Sequence, residues 1–303
     1  MKKFHLLFVA LVIGSLILSA CAPAATPVAE EPAGEEPAAE SPTGRGGVCL
    51  GTAEEALQDL DCREVTIAIE NAYLPFNYID EVTGEAGGWD YDVWEEICVR
   101  LHCTPVFVEA AWEGMIQAVA DGQFDAAADG ITITEERAEI VAFSIGYVAI
   151  EQRLLVRIDE TRITSIEDIV ADESLVLGTQ TGTTNYDTAL EYLPAERVQA
   201  FETFPFAVQA LVAGDIDAVI IDETAGQGYQ GENAESLMLV GPSMSSDQLG
   251  FIYPLGSDLV APVDMALQSM MDDGTLNEIN ATYFTPDFAC DYTETGITCS
   301  SGG

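Results

Sequence analysis

Lysine is absent beyond Lys3, and histidine occurs only at His5 and His102. Past residue 20 the cations are eight arginines (Arg45, Arg63, Arg100, Arg137, Arg153, Arg157, Arg162 and Arg197), set against 52 acidic residues. The formal net charge of the 303-residue chain is −42. These shortages exclude much of enzymology. No Schiff-base or phosphate-loop lysine can be assembled. One histidine past the leader supports neither a histidine-rich metal site nor a dependable Ser–His pair. Binding a phosphate backbone needs clustered cations, so nucleic acid is not an expected partner, and the same charge argues against adsorption to anionic lipid through basic residues. After the N-terminal run, no stretch of about 18 uninterrupted apolar residues is available to cross a bilayer. Neither a metal nor a cofactor is expected. What is present is ordinary core material: 48% apolar residues, enough for one large domain or two medium ones.

Lys2-Lys3 is followed by an apolar run from Leu6 to Leu18 and then Leu18-Ser19-Ala20-Cys21. The run is too short for a hydrocarbon layer of ~30 Å and fits a secretory signal over residues 1–20. A buried core helix is the competing reading; the charged start, the small residues and the following linker favour the signal. The tetrad resembles a bacterial lipobox, and that resemblance implies lipidation of Cys21. Residues 21–47 are rich in Ala, Pro, Glu and Gly and form an expected disordered tether. As a flexible coil it would reach roughly 28 Å. Six further cysteines, Cys49, Cys62, Cys98, Cys103, Cys290 and Cys299, form an even set, which in an exported chain suggests disulfides. Fifteen pairings are possible; short loops favour 49–62, 98–103 and 290–299. Their irregular spacing, without paired histidines, argues against zinc.

The folded body begins near Cys49. Val65-Thr66-Ile67-Ala68-Ile69 reads as a buried strand, Tyr91 to Leu101 has helical spacing, and Pro105 to Val108 returns to strand. This alternation predicts an α/β fold with mostly parallel sheets. Gln117-Ala118, Gly122 and Asp125-Ala126 recur 92 positions later as Gln209-Ala210, Gly214 and Asp217-Ala218. The repeat is either a common helix-to-strand turn used twice or the mark of two lobes of similar topology. In the second case Gly130 and Asp222 occupy equivalent places just past a strand, where open α/β sheets gather ligands.

Several residues could hold a ligand there. Thr134 is a predicted N-cap, which sets Arg137 in a first helical turn where a cation is disfavoured unless an anion offsets it. Arg137 either pairs with Glu136 or Glu139 or offers its fork to a carboxylate. Gly182-Thr183-Thr184 is an ordinary capped loop or a carboxylate-binding helix start. Asp222 caps a following helix or accepts from an ammonium. Tyr73, Phe76, Trp89 and Trp112 are core aromatics, or, for Tyr73 and Trp112, the two faces of a sandwich around a side chain.

These segments resemble the extracellular solute-binding proteins of family 3, which serve polar amino-acid ABC importers. Tyr73-Leu74-Pro75-Phe76, Gly88-Trp89-Asp90-Tyr91-Asp92, Trp112-Glu113-Gly114-Met115-Ile116, Gly130-Ile131-Thr132-Ile133-Thr134-Glu135-Glu136-Arg137, Gly182-Thr183-Thr184, Asp217-Ala218-Val219 with Asp222, and Asp273-Gly274-Thr275-Leu276 follow in the family's order. Phe143-Ser144-Ile145-Gly146-Tyr147 departs from the family's usual Phe-Ser-Asp-Pro-Tyr. The resemblance implies a two-lobed, type II periplasmic-binding-protein-like fold over residues 48–290. Each lobe would be a mixed, mostly parallel sheet with flanking helices, joined by two crossover strands. Lobe one would span about 63–149 and 255–290, lobe two about 153–251, and residues 291–303 would be a tail without an assigned role. It implies that Arg137, Thr183 and Thr184 hold an α-carboxylate and that Asp222, Gly130 and Thr132 hold an α-ammonium. Tyr73 and Trp112 would flank the side chain, which Glu70 would reach if it were basic. Some members also carry a disulfide near Cys98 and Cys103.

The expected protein is therefore a monomeric, lipid-anchored binding protein on the outer face of the cytoplasmic membrane. It would close around an amino acid and deliver it to an ABC permease. Glu70, Asp90 and the negative field favour a polar or cationic ligand. The alternatives are a cyclohexadienyl-dehydratase-like enzyme on the same fold and a sensor ectodomain acting through a partner. The acid excess also suits a saline habitat, where a shorter Debye length relieves self-repulsion.

Overall fold

The structure, a computed structural model, describes residues 45–80, 83–284, 288–293 and 296–301. The expected signal, Cys21 and the tether up to residue 44 lie outside the described residues.

Lobe one is built on a five-stranded sheet. The β-branched strand Glu64–Ile69 pairs in parallel with Thr104–Glu109 on one side and Ala126–Ala127 on the other. Ile252–Pro254 runs antiparallel between Ala126–Ala127 and Val141–Phe143. Side chains alternate along a strand, so the two faces feed two cores. Val65, Ile67 and Ile69 pack with Trp94, Ile97 and Leu101 of the helix Trp89–Leu101. Ala68 faces the other way, to Met115 and Val119 of the helix Trp112–Ala120.

Lobe two repeats the plan. Leu177–Gln180 pairs in parallel with Val198–Phe201 and Ala218–Asp222, and the ten-residue strand Val148–Arg157 runs antiparallel beside Ala218–Asp222 and Leu237–Val240. Ala218 and Ile220 join one core, Val219 and Ile221 the other.

Two antiparallel segments carry the chain between the lobes. Val148 to Glu151, the first part of the long strand, pairs with Ser246–Leu249 before the same strand enters the lobe-two sheet at Gln152. The expected α/β architecture of two lobes and two crossover strands is the observed one. Each lobe points strand ends toward the other.

Residues 45–62 wrap lobe one. Arg45 bridges Asp92 at 2.8 Å and Glu95 at 2.6 Å. The backbone N–H groups of Gly47, Leu50 and Leu60 donate to the carbonyls of Pro105, Cys103 and Leu101. Disulfides join Cys49 to Cys62 and Cys98 to Cys103, two of the three expected pairs. Strands Phe288–Thr293 and Gly296–Ser301 form a hairpin that sets Cys290 opposite Cys299 in register. The side chains of that third expected pair lie outside the described residues. No helix among the described residues is long and apolar enough to cross a membrane.

Candidate functional site

Arg137 owes its place to Thr134. That residue is extended, its Oγ1 accepts from the Arg137 N–H at 3.1 Å, and the short helix Glu135–Ala138 follows. The guanidinium turns back over the strand end. Its Nη1 donates to the Thr132 carbonyl at 2.9 Å, and its carbon lies 5.3 Å from the Trp112 ring, within cation–π range. Among the described residues Arg137 forms no ion pair, so the expected alternatives, Glu136 and Glu139, are not its partners. Burial pulls its pKa down, while the more distant charges of Asp187 and Asp222 hold it up.

Asp222 closes the apolar strand Ala218–Asp222 and precedes the helix Glu223–Glu232, yet it makes no capping bond. Its carboxylate faces inward. Oδ1 accepts from Asn185 Nδ2 at 3.1 Å, and Oδ2 accepts from the Tyr73 hydroxyl of the opposite lobe. Burial pushes its pKa up to about 6 against the pull of those two bonds. The Tyr73 ring is stacked between Phe76 at 5.2 Å and Phe204 of lobe two at 5.4 Å. Gly130 makes that position possible. It has φ of 55°, and a Cβ there would lie 2.5 Å from the Tyr73 ring.

The helix Thr184–Tyr192 brings its first turn to the same place. Thr183 is the N-cap, accepting from Tyr186 N–H at 3.2 Å and donating to the Gln180 carbonyl at 2.8 Å. Thr184 Oγ1 lies 3.3 Å from Thr132 Oγ1 across the lobes.

Acids gather at the far end. Glu70 follows the strand Glu64–Ile69 and accepts from Gln180 Nε2 of lobe two at 2.9 Å. It also accepts from the Trp112 N–H, but burial outweighs both bonds and pushes it up to about 7. Asp129 follows the strand Ala126–Ala127 and accepts from Asn77 Nδ2 at 2.8 Å. Burial and the neighbouring Glu70 hold its carboxyl well above the usual range.

These groups surround one narrow cavity between the lobes, with an enclosed volume of about 20 Å³. Nine of the ten residues expected to bind a ligand line it: Glu70, Tyr73, Trp112, Gly130, Thr132, Arg137, Thr183, Thr184 and Asp222. Asp90 does not. It is fully buried behind the wall, accepting from Asn77 Nδ2 at 2.9 Å. The acid of the Gly88-Trp89-Asp90 motif turns into lobe one because it sits in the first turn of a helix packed on the sheet. Sequence reasoning missed Asp129, Gln180, Asn185 and Phe204. A usable signal existed for two of them: Asp129 and Gln180, like Asp222, are polar residues at the carboxyl end of a buried strand, where such sheets bind ligands. Cys62 Sγ lies 3.2 Å from His102 Nε2, but both neighbouring cysteines are spent in a disulfide.

Residues 65–286 match the bacterial extracellular solute-binding proteins, family 3. The chain belongs to that family. The L-cystine-binding protein TcyA of Bacillus subtilis (strain 168) is 27% identical over 225 residues, 74% of this chain and 82% of that protein. The L-arginine-binding protein of Pseudomonas aeruginosa is 27% identical over 247 residues, with 74% and 89% covered. Among solved structures, an ancestral arginine-binding protein bound to arginine superposes with a TM-score of 0.68 at 29% identity, covering 73% of this chain and 98% of that one. The ancestral amino acid-binding protein AncCDT-1, a precursor of cyclohexadienyl dehydratase, gives 0.68 at 30% identity, with 73% and 96% covered. The fold is thus the type II periplasmic-binding-protein fold. The chain is an extracytoplasmic solute-binding protein, and its curated relatives are binding proteins rather than enzymes.

Proposed function

We propose that this family 3 protein captures one α-amino acid with a polar or cationic side chain in the interlobe cleft and delivers it to an ABC permease. The single observation that carries the reading is an opposed pair in one cavity. Arg137 comes from lobe one without an ion-pair partner among the described residues, and Asp222 comes from lobe two. A guanidinium fork and a buried carboxylate match the two ends of a zwitterion.

Arg137, with Thr183 and Thr184 at the helix start, takes the α-carboxylate. Asp222, Thr132 and the backbone at Gly130 take the α-ammonium. Tyr73 and Trp112 flank the side chain, and Glu70 meets its far end. Ligand bonds to both lobes favour the closed arrangement over the open one, with the paired crossover strands as the hinge. The protein acts as a monomer, exported through residues 1–20 and held at the outer face of the cytoplasmic membrane by lipid on Cys21. The division into lobes at about 63–149 with 255–290 and about 153–251 belongs to this reading. A dehydratase reading would use Glu70, shifted to about 7, as acid or base; the binding-protein relatives weigh against it.

Calorimetry with each of the twenty amino acids tests the proposal. Saturable binding of at least one at micromolar concentration is expected. No heat from any of them at millimolar concentration would sink it.

A further inference from the structure

The acid end of the cleft contains more carboxyls than a zwitterion requires. Asn77 is fully buried and places both hydrogens of its amide on acids, 2.8 Å to Asp129 Oδ1 and 2.9 Å to Asp90 Oδ2. Its own Oδ1 accepts from the Asn71 N–H at 2.7 Å, which fixes the direction of the amide. Asp129 also accepts from the Glu70 N–H, so Glu70 and Asp129 stand side by side on the cavity wall. Asp90 lies directly behind, and its Oδ1 has no hydrogen-bond partner. Two carboxyls therefore share one side-chain amide, and Glu70, held by Gln180 Nε2 at 2.9 Å, makes the third of the group. Among the described residues the one cation lining the same cavity is Arg137, whose guanidinium is turned to the Thr132 carbonyl and the Trp112 ring.

Enclosed like charges cannot all remain ionised, because each raises the cost of the next. The other titratable groups facing the cluster are Tyr73 and Tyr147 of the same lobe, Glu202 across the cleft, and Asp222 within the cavity. None of them supplies a positive charge.

We infer that Asp129 is a second specificity-determining carboxyl beside Glu70, and that the Glu70–Asp129–Asp90 cluster admits a cationic amino-acid side chain in exchange for a proton. This rests on the amino-acid reading above. The exchange balances simply: a carboxyl O–H gives its proton to solvent as the guanidinium or ammonium arrives, and the charge inside the cleft stays constant. With the proton retained, the same wall is a neutral hydrogen-bonding surface suited to an amide side chain. Burial, the leading cause of the shift at all three acids, sets Glu70 at about 7 and Asp90 at about 8, so the exchange falls near neutral pH.

The test is calorimetry of the full chain with L-arginine and L-glutamine at about pH 5.5 and about pH 8.5, each in two buffers of different ionisation enthalpy. Arginine affinity should rise about tenfold or more with pH, with net proton release near neutrality, while glutamine affinity should change by less than about threefold. Asp129→Asn should lower the ratio of arginine to glutamine affinity by about tenfold. The proton count on the unaltered protein stands even if that variant folds poorly. Equal arginine affinity at both pH values without proton release would overturn the inference. Binding of glutamine but not arginine would overturn it while leaving the amino-acid reading intact. Binding of neither, nor of any other amino acid, would overturn both.

Discussion

Arg137 and the neighbouring acids Glu70 and Asp129, with Asp90 behind them, are the two charged groups of one cleft, and the chain holds them by different means. At the first end a single cation is fixed by an N-cap, a carbonyl and an aromatic face. A guanidinium does not lose its proton in the working range, so that end carries a constant charge. At the second end Asp129 and Asp90 lean on the Asn77 amide and Glu70 on the amide of Gln180, and each of the three has a raised pKa because burial disfavours its charged form. That end carries a charge that solution conditions can set. On the proposed reading the contrast would separate two tasks. Every α-amino acid has a carboxylate, so a grip on it can be rigid. Side chains differ, so groups that choose among them would gain from being adjustable.

Breaking the rigid end should have the largest effect. Arg137→Ala removes a charge-assisted contact and leaves the ligand carboxylate without its partner, so affinity for any amino acid should fall about a hundredfold or more, equivalent to ~3 kcal/mol. Calorimetry at fixed pH reads this directly. A loss under tenfold would mean that the carboxylate is gripped elsewhere.

The adjustable end should appear next, in stability. Asp90 is raised, so its neutral form is the one that folding favours. The sign follows: the associated stability is fully present below about pH 4, the ordinary carboxyl range, and is lost as pH rises through about 8. The melting temperature of the ligand-free protein should therefore fall from about pH 5 to about pH 8.5, and Asp90→Asn should spare about 3 °C or more of that fall. An unchanged pH profile in the variant would remove Asp90 from the cluster.

The smallest effect distinguishes the cleft from the surface. Raising salt from about 0.1 to about 1 M shortens the Debye length from ~10 to ~3 Å, which relieves repulsion among the excess surface acids. Melting should rise by a few degrees, whereas ligand affinity, set by enclosed charges, should move less than about threefold. A flat melting curve with a large drop in affinity would invert the assignment.

How much of this was legible beforehand follows from where each signal resides. The strand Glu64–Ile69 is a contiguous β-branched run, and the helix start at Thr184 has its N-cap beside it, so local pattern suffices for both. Arg137 and Asp222 stood out because one is a cation at the wrong end of a helix and the other an acid closing an apolar strand. Asp129 has the same character as Asp222, but the strand before it is only two residues long, so no long apolar run marks it. Asn185 and Phe204 could not be read, because their roles depend on which side of a first turn faces the opposite lobe. Asp90 failed for the same reason: a first-turn acid can point to the cleft or into the core, and only the packing of its helix against the sheet decides.

The wrapping of residues 45–62 around lobe one has a mechanical consequence. Arg45 on Asp92 and Glu95, the backbone bonds to residues 101–105 and the Cys49–Cys62 link all fasten the start of the folded body to a single half. A pull arriving along the preceding chain is borne by that half alone. In the proposed closing motion the other half would swing on the crossover strands without load, so the proposed leash would moor one jaw and leave the bite free.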